Sequence, residues 1–319
     1  MFKVVVTDYT FPDLGIEEEV LLPLGARIQG GQCRSVEEVA ELTADADAVI
    51  TQFAPVKAGA IKAMTRARII VRYGIGVDNV DLAAAAERKI PVCNIPDYCI
   101  AEVADHTLAF ILSLTRQIIP NAMVIRDGEW KLGIPLALMR SLRDMTVGVV
   151  GFGRIGREVV QRLIPFGCKI LVFDPVVSAE VVTKAGAKLA GLDELLAGSD
   201  LISLHCPSTA ETRGMIGSRA FAMMKPGALL VNASRGDLVV TDDLIQAVKE
   251  GKVAGAALDV TSPEPLPKDS PLRILPQVIV HAHIASASVP SGIRLRTGAA
   301  EHVARAIRNE KLVNVVNGL

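Results

Sequence analysis

An excess of charge of either sign is missing from this chain. It has 34 Lys and Arg against 35 Asp and Glu in 319 residues, a formal net charge of −1. A basic surface that would hold nucleic acid is therefore not expected. Paired cysteines are missing too. Cys33, Cys93, Cys99, Cys168 and Cys206 are scattered with no Cys-x-x-Cys pair. That argues against a zinc ribbon or a disulfide framework, gives no metal motif, and fits a reducing compartment. A membrane-length apolar run is also lacking. The longest lipid-like stretch, "VADHTLAFILSL", is short of the roughly 20 residues a span needs, and it carries Asp105 and His106. The opening "MFKVVVTDYT" has no basic segment leading into an apolar one, so no signal peptide is expected. These absences imply a cytoplasmic protein that meets neither nucleic acid nor membrane. What is present is 50% hydrophobic and 22% charged residues, which suits a large buried core. The length suits about two domains.

The first third alternates β-branched runs with helical patterns. "KVVVTD" (3–8), "AVIT" (48–51), "IIVR" (69–72) and "PVCNI" (91–95) read as buried strands, with helices at 35–45, 57–64 and 81–89 between them. Such alternation predicts a parallel sheet covered on both faces. Residues 97–117 read as one long helix, with Ile100, Val103, Ala104, Thr107, Leu108, Ile111 and Leu112 on one face and His106 as a structural residue. Residues 126–144, "RDGEWKLGIPLALMRSLRD", are mixed, with Gly and Pro, and read as a loop or arm. A second alternating series starts at 146, with strands at 146–150, 169–174, 201–205, 228–232, 254–260 and 278–281. Five prolines exclude a regular helix or central strand from 261–276. A last amphipathic helix is expected from Ser291, as N-cap, to Asn309.

The stretch "VGVVGFGRIGREVV" (147–160) places a strand before Gly151-x-Gly153-x-x-Gly156 and a helix after it. Gly151 allows the tight turn, Gly153 lets a pyrophosphate approach the backbone, and Gly156 lets the helix pack on the strand. The helix N-terminus then offers free N–H groups to the phosphates. "KILVFD" ends in Asp174, at the distance where an acid accepts hydrogen bonds from the adenosine ribose. A carboxylate there repels a 2′-phosphate, and "PVVSAE" supplies no base to neutralise one. NAD is therefore expected over NADP.

With these features in mid-chain, the sequence resembles the D-isomer-specific 2-hydroxyacid dehydrogenases. It is most like the branch that holds the C-terminal-binding-protein corepressors and phosphoglycerate-dehydrogenase-like enzymes. The likeness is carried by "VRYGIGVDNVDLAAAAERKIPVCNIPDYCIAEVADHTLAFILSL", "VGVVGFGRIGREV", "SLHCPSTAETRGMI", "MKPGALLVNASRGDLV", "AGAALDVTSPEPLP" and "VIVHAHIA". It implies an α/β fold of two Rossmann-like, doubly wound parallel-sheet domains. One is a flavodoxin-like substrate domain, 1–98 plus 290–319. The other is an NAD-binding domain, 99–289, with hinge helices at both crossings. A homodimer is also implied.

The resemblance implies oxidoreductase chemistry, with a hydride moved between NAD(H) and a small D-2-hydroxy or 2-oxo acid. Such a reaction needs a carboxylate grip, a proton donor and something to hold the donor. Arg235 in "NASRGDLV" matches the grip, whose planar fork lysine cannot reproduce. His281 and His283 lie on the same side of an extended segment, so either could be the donor. The family pattern of "VIVHAHIA" matches His283. Glu264 in "TSPEPLP" matches the carboxylate that fixes the imidazole.

The loop of Arg72, Tyr73, Gly74, Ile75 and Gly76 resembles the second carboxylate grip, a nest of backbone N–H groups. Cofactor contacts are implied for Gly151, Phe152, Gly153, Arg154, Ile155, Gly156, Asp174, Pro175, His205, Pro207, Thr212, Ala233, Ser234, Arg235, Asp259, His283 and Ala285. Two departures stand out. Many relatives have Thr-Pro before the catalytic histidine, where this chain has His281-Ala282. The run after it, "IASASVPSG", lacks the aromatic pair of the corepressor branch. An NAD(H)-sensing, corepressor-like binding protein and a dehydrogenase for a phosphorylated hydroxy acid remain the alternatives.

Overall fold

The structure is a computed structural model that describes residues 1–319. The chain divides into two compact units, Met1–Tyr98 with Ser288–Leu319, and Cys99–Ala287.

The first unit opens with β1 (Phe2–Val6), α1 (Gly15–Leu21), β2 (Ala26–Gly30), α2 (Val36–Thr43), β3 (Ala48–Thr51), α3 (Ala58–Ala63), β4 (Ile69–Arg72), α4 (Leu82–Glu87) and β5 (Val92–Cys93). The sheet is entirely parallel, in the order β2-β1-β3-β4-β5. That is the flavodoxin-like order, with its switch point between β1 and β3. The central strands are Val- and Ile-rich because both faces are covered; Val4, Val5, Val6, Val49, Ile50, Ile69 and Ile70 are fully buried. Ser35 and Glu38 form a reciprocal capping box at the start of α2, and Asp81 caps α4.

The second unit begins with α5 (Ile100–Arg116), α6 (Ile118–Arg126) and β6 (Thr146–Val150). It continues through α7 (Arg154–Leu163), β7 (Lys169–Phe173), α8 (Ala179–Lys184), β8 (Lys188–Leu189), α9 (Leu192–Gly198), β9 (Leu201–Leu204), α10 (Ser218–Met223), β10 (Ala228–Asn232), α11 (Thr241–Lys249), β11 (Val253–Leu258) and β12 (Val278–Val280). Its seven strands are again all parallel, in the order β12-β11-β10-β9-β6-β7-β8. This is the dinucleotide-binding order extended by one strand, and its switch point lies between β6 and β9. The expected fold class is thus the observed one in both units.

Next, α6 occupies Ile118–Arg126, just ahead of the stretch expected as a loop or arm, and none of its side chains is buried. Ile118, Met123, Ile125, Trp130, Leu132 and Leu136 are all exposed, Trp130 at 93%. No single helix is long and apolar enough to cross a membrane, and α5 and α6 pass such a test only as a pair bent by 66°.

The chain returns to the first unit as α12 (Val289–Arg308). Its N-cap is Ser288, not Ser291: Ser291 is the third helical residue and completes a capping box with Ser288. Pro290 in the first turn is the local reason, since proline has no N–H to lose there. α12 packs along α1. Leu295, Ala299, Ala300, Val303 and Ala304 join the core over the sheet.

Candidate active site

The glycine loop follows β6 at the switch point. Gly151 has φ +96°, and a Cβ there would lie 2.7 Å from the His205 carbonyl, just past β9. A Cβ on Gly156 would lie 2.1 Å from the Gly151 oxygen, so the helix start touches the loop backbone. A Cβ on Gly153 would meet nothing within 4 Å. Two glycines are thus fixed by contact inside the protein, whereas the third keeps an open face at the N-terminus of α7. That open cradle, with N–H groups at a helix start, suits a pyrophosphate.

Asp174 ends β7. Its Oδ2 accepts the Phe152 N–H at 2.8 Å, and its Oδ1 accepts those of Val176 (2.9 Å) and Val177 (3.2 Å). The carboxylate therefore ties the glycine loop to the β7 turn as well as facing the cradle. Phe152 corrects one expectation. Its side chain is 0% exposed and its N–H is spent on Asp174, so the side chain offers a ligand no surface. Ala285 is also buried, and its N–H is committed to Asp259. His205 donates to or accepts from Ser203 Oγ at 2.8 Å, and burial pushes its pKa down to about 4. Thr212 Oγ donates to Pro207 O (2.7 Å) and accepts from Thr209 N (2.8 Å), closing the loop after β9. Arg154, Pro175 and Pro207 are exposed, and Ile155, Ala233 and Ser234 are half-buried.

Arg235 follows β10. Asn232 braces its turn from both sides: Nδ2 donates to Arg235 O (2.8 Å), and Oδ1 accepts from Ser234 N (3.0 Å). The Ser234 hydroxyl donates to Cys206 O, which joins the β9 and β10 loops. Gly236 is required next, because a Cβ would lie 2.0 Å from Thr261 O. The Arg235 turn thus packs directly on the segment that carries Glu264. Thr241 Oγ donates to Ser262 O (2.7 Å) and Thr261 Oγ to Pro263 O (2.9 Å), fixing that segment further.

Glu264 Oε1 lies 2.8 Å from His283 Nδ1. Burial raises the Glu264 carboxyl, but the hydrogen bond to His283 and the charges of His283 and Arg235 outweigh it and hold it below the usual carboxylate range. The bond leaves the ring Nε2 as the free edge of a one-third exposed side chain.

His283 sits at φ +56°, where non-glycine residues are uncommon. Asp259, at the end of β11, holds that conformation. Its carbonyl accepts the His283 N–H (2.8 Å), and its two carboxylate oxygens accept those of Ile284 (2.8 Å) and Ala285 (2.9 Å). His281 is turned elsewhere. Its Nδ1 lies 2.9 Å from His106 Nε2, with Phe110 packed against both rings. His106, expected as structural only, is therefore the partner of the second histidine, and burial lowers its pKa. Asp259, Glu264, Arg273, His281 and His283 border one cavity of about 560 Å³.

The Arg72–Gly76 loop belongs to the other unit, at the carboxyl end of β4. Here the expectation narrows. Tyr73 is 2% exposed, with its hydroxyl donated to Glu17 at 2.7 Å, so its side chain is core. The Tyr73 N–H donates to Thr51 O (2.8 Å) and that of Gly74 to Arg72 O (2.9 Å). Of the four backbone donors, those of Ile75 and Gly76 are left for an anion. The Arg72 guanidinium lies 6.0 Å from the exposed Phe53 ring.

A doubly wound unit with a glycine cradle at its switch point, beside an arginine turn and an acid-bonded histidine, defines a dinucleotide-binding protein. The chain belongs to the D-isomer specific 2-hydroxyacid dehydrogenase family, whose NAD binding domain model matches residues 108–285. The glyoxylate reductase of Korarchaeum cryptofilum is 36% identical over 286 residues, 89% of this chain and 86% of that protein. The D-3-phosphoglycerate dehydrogenase of Mycobacterium bovis is 40% identical over 274 residues, 86% of this chain and 51% of that protein. The chain thus spans about half the length of the phosphoglycerate dehydrogenases it matches. Among solved structures, D-lactate dehydrogenase from Aquifex aeolicus complexed with NAD and lactic acid aligns with a TM-score of 0.87, at 30% identity over 96% of each chain.

Proposed function

We propose that the protein interconverts a small D-2-hydroxy acid and its 2-oxo acid with NAD(H). The observation that carries this is the Glu264–His283 bond beside the Arg235 turn, in a unit whose glycine cradle fits a dinucleotide. Bound in that cradle, NADH would supply the hydride. The Arg235 fork would hold the substrate carboxylate and carbonyl oxygen. His283 Nε2 would give its proton to that oxygen, and Glu264 would keep Nδ1–H as the only tautomer available for support. The test is NADH and NADPH oxidation with a panel of 2-oxo acids: glyoxylate, hydroxypyruvate and its 3-phosphate, pyruvate and phenylpyruvate. Turnover of one member supports the reading. Silence across the panel with NADH still bound refutes it in favour of a cofactor-sensing protein.

NADH is the preferred cofactor in this reading, because Asp174 bonds to the glycine loop and the "PVVSAE" that follows it carries no Lys or Arg. Asp174→Ala should weaken NADH binding and erode discrimination against NADPH. It should also cost stability of about 1–3 kcal/mol, because three backbone N–H groups lose their acceptor. An unchanged NADH to NADPH ratio of kcat/KM would count against the ribose role while leaving the structural one.

The working form is a homodimer. The exposed apolar residues of 118–136, Trp130 foremost, form a patch of the kind that marks an interface. Sedimentation of the full chain as a monomer at micromolar concentration would dismiss it. Five free thiols accord with a cytoplasmic location.

A further inference from the structure

We propose that His106, His281 and Asp259 form a binding site for one divalent transition-metal ion of the zinc class. One ligand atom from each of the three lies within 4.8 Å of the others. They come from three separate elements: the middle of α5, the residue after β12, and the residue after β11. Two imidazoles and a carboxylate match the donor preference of zinc, nickel and copper. Magnesium and calcium prefer oxygen ligands. Three protein ligands would leave a fourth position for water.

The supports around these donors are those a metal site needs. Asp259 is 1% exposed, and the N–H groups of Ile284 and Ala285 each hold one of its oxygens, leaving a second lone pair on each. Phe110 packs against both histidine rings at centroid distances of 4.5 and 4.8 Å. The His281 N–H donates to Leu258 O at 2.8 Å, which fixes the residue's register beside β11. The two facing nitrogens are 2.9 Å apart. Ligands about 2.0–2.1 Å from a tetrahedral ion are roughly 3.4 Å apart, so the pair opens by only a few tenths of an ångström to admit one. His283 and Glu264 bond to each other and stand outside this set.

The test uses the full chain and needs no turnover, so it is independent of the proposed reaction. Zinc is titrated in competition with a chromophoric chelator, and Co²⁺ is added separately while visible absorption is recorded. One ion per chain is expected, with Co²⁺ bands of four-coordinate intensity. His281→Gln keeps a hydrogen-bonding partner for His106, and His106→Gln does the converse. Each should weaken zinc by more than roughly 100-fold, beyond what losing a mere orienting partner costs. His283→Asn should bind the ion as before. The proposal fails if the unaltered chain does not compete with a micromolar chelator. It also fails if His283→Asn loses the ion as completely as His281→Gln, because the metal would then sit on the acid pair. Retained zinc in both glutamine variants fails it equally.

Discussion

Turnover of the best 2-oxo acid should fall by about 10²–10⁴-fold in His283→Ala. The expectation rests on position. His283 is the histidine that a carboxylate holds, at 2.8 Å, with Nε2 left over for a substrate oxygen. His281 has no such partner; its nitrogen is spent on His106. His281→Ala should therefore cost much less than His283→Ala, and the reverse order would mean that the acid has been misassigned. Because His283 lies at φ +56°, alanine adds backbone strain to the lost imidazole. His283→Asn separates the two effects, since asparagine tolerates that conformation. If asparagine restores thermal stability but not kcat, the loss belongs to the proton transfer.

The second large effect is on stability and lies in the other unit. Glu17 is fully buried on α1. Its carboxylate accepts Arg296 Nε at 3.0 and 3.2 Å, Arg296 Nη2 at 2.7 Å and the Tyr73 hydroxyl at 2.7 Å. Phe11 closes the cluster, edge-on to Tyr73 at 5.4 Å and under the Arg296 guanidinium at 4.9 Å. Removing Glu17 leaves the buried Arg296 guanidinium with only Asp13, whose carbonyl and carboxylate oxygens accept Nη2 at 2.8 and 3.2 Å, and breaking a buried pair in this way costs up to about 3–5 kcal/mol. Glu17→Leu should lower the denaturation midpoint of this unit accordingly. Adding Arg296→Met to it should recover most of the loss, because replacing both ions by apolar groups is often neutral. A double variant as unstable as the single would show that the cost lies in packing and not in the stranded charge.

The parts of this molecule that could be read from sequence are those whose physics is local. A buried parallel strand announces itself by its β-branched run, and a phosphate cradle by glycines at fixed offsets, because backbone contact leaves no room for side chains. Arg235, Glu264 and His283 were legible only through family resemblance. Nothing in the residues around Glu264 distinguishes it from a solvated loop acid until the fold brings His283 to it from 19 positions away. The Glu17–Arg296 pair, 279 residues apart, and the His106–His281 pair, 175 apart, have no sequence signal at all. The Tyr73–Glu17 hydrogen bond, 56 residues apart, has no sequence signal either. The helix α6 buries none of its side chains, so no apolar stripe marks it in the sequence. Ser288 and Ser291 both suit an N-cap by residue type, and the first-turn preference of Pro290 decides for Ser288.

Gly236 closes its peptide against Thr261 with no space for a methyl group. The turn bearing the arginine and the segment bearing the glutamate are therefore one mechanical part. Neither can be lengthened, shortened or borrowed from a relative alone without prying the other out of place. In directed evolution the pair should travel together, so recombination breakpoints between 236 and 261 should be depleted among functional chimaeras, while breakpoints flanking that interval are tolerated.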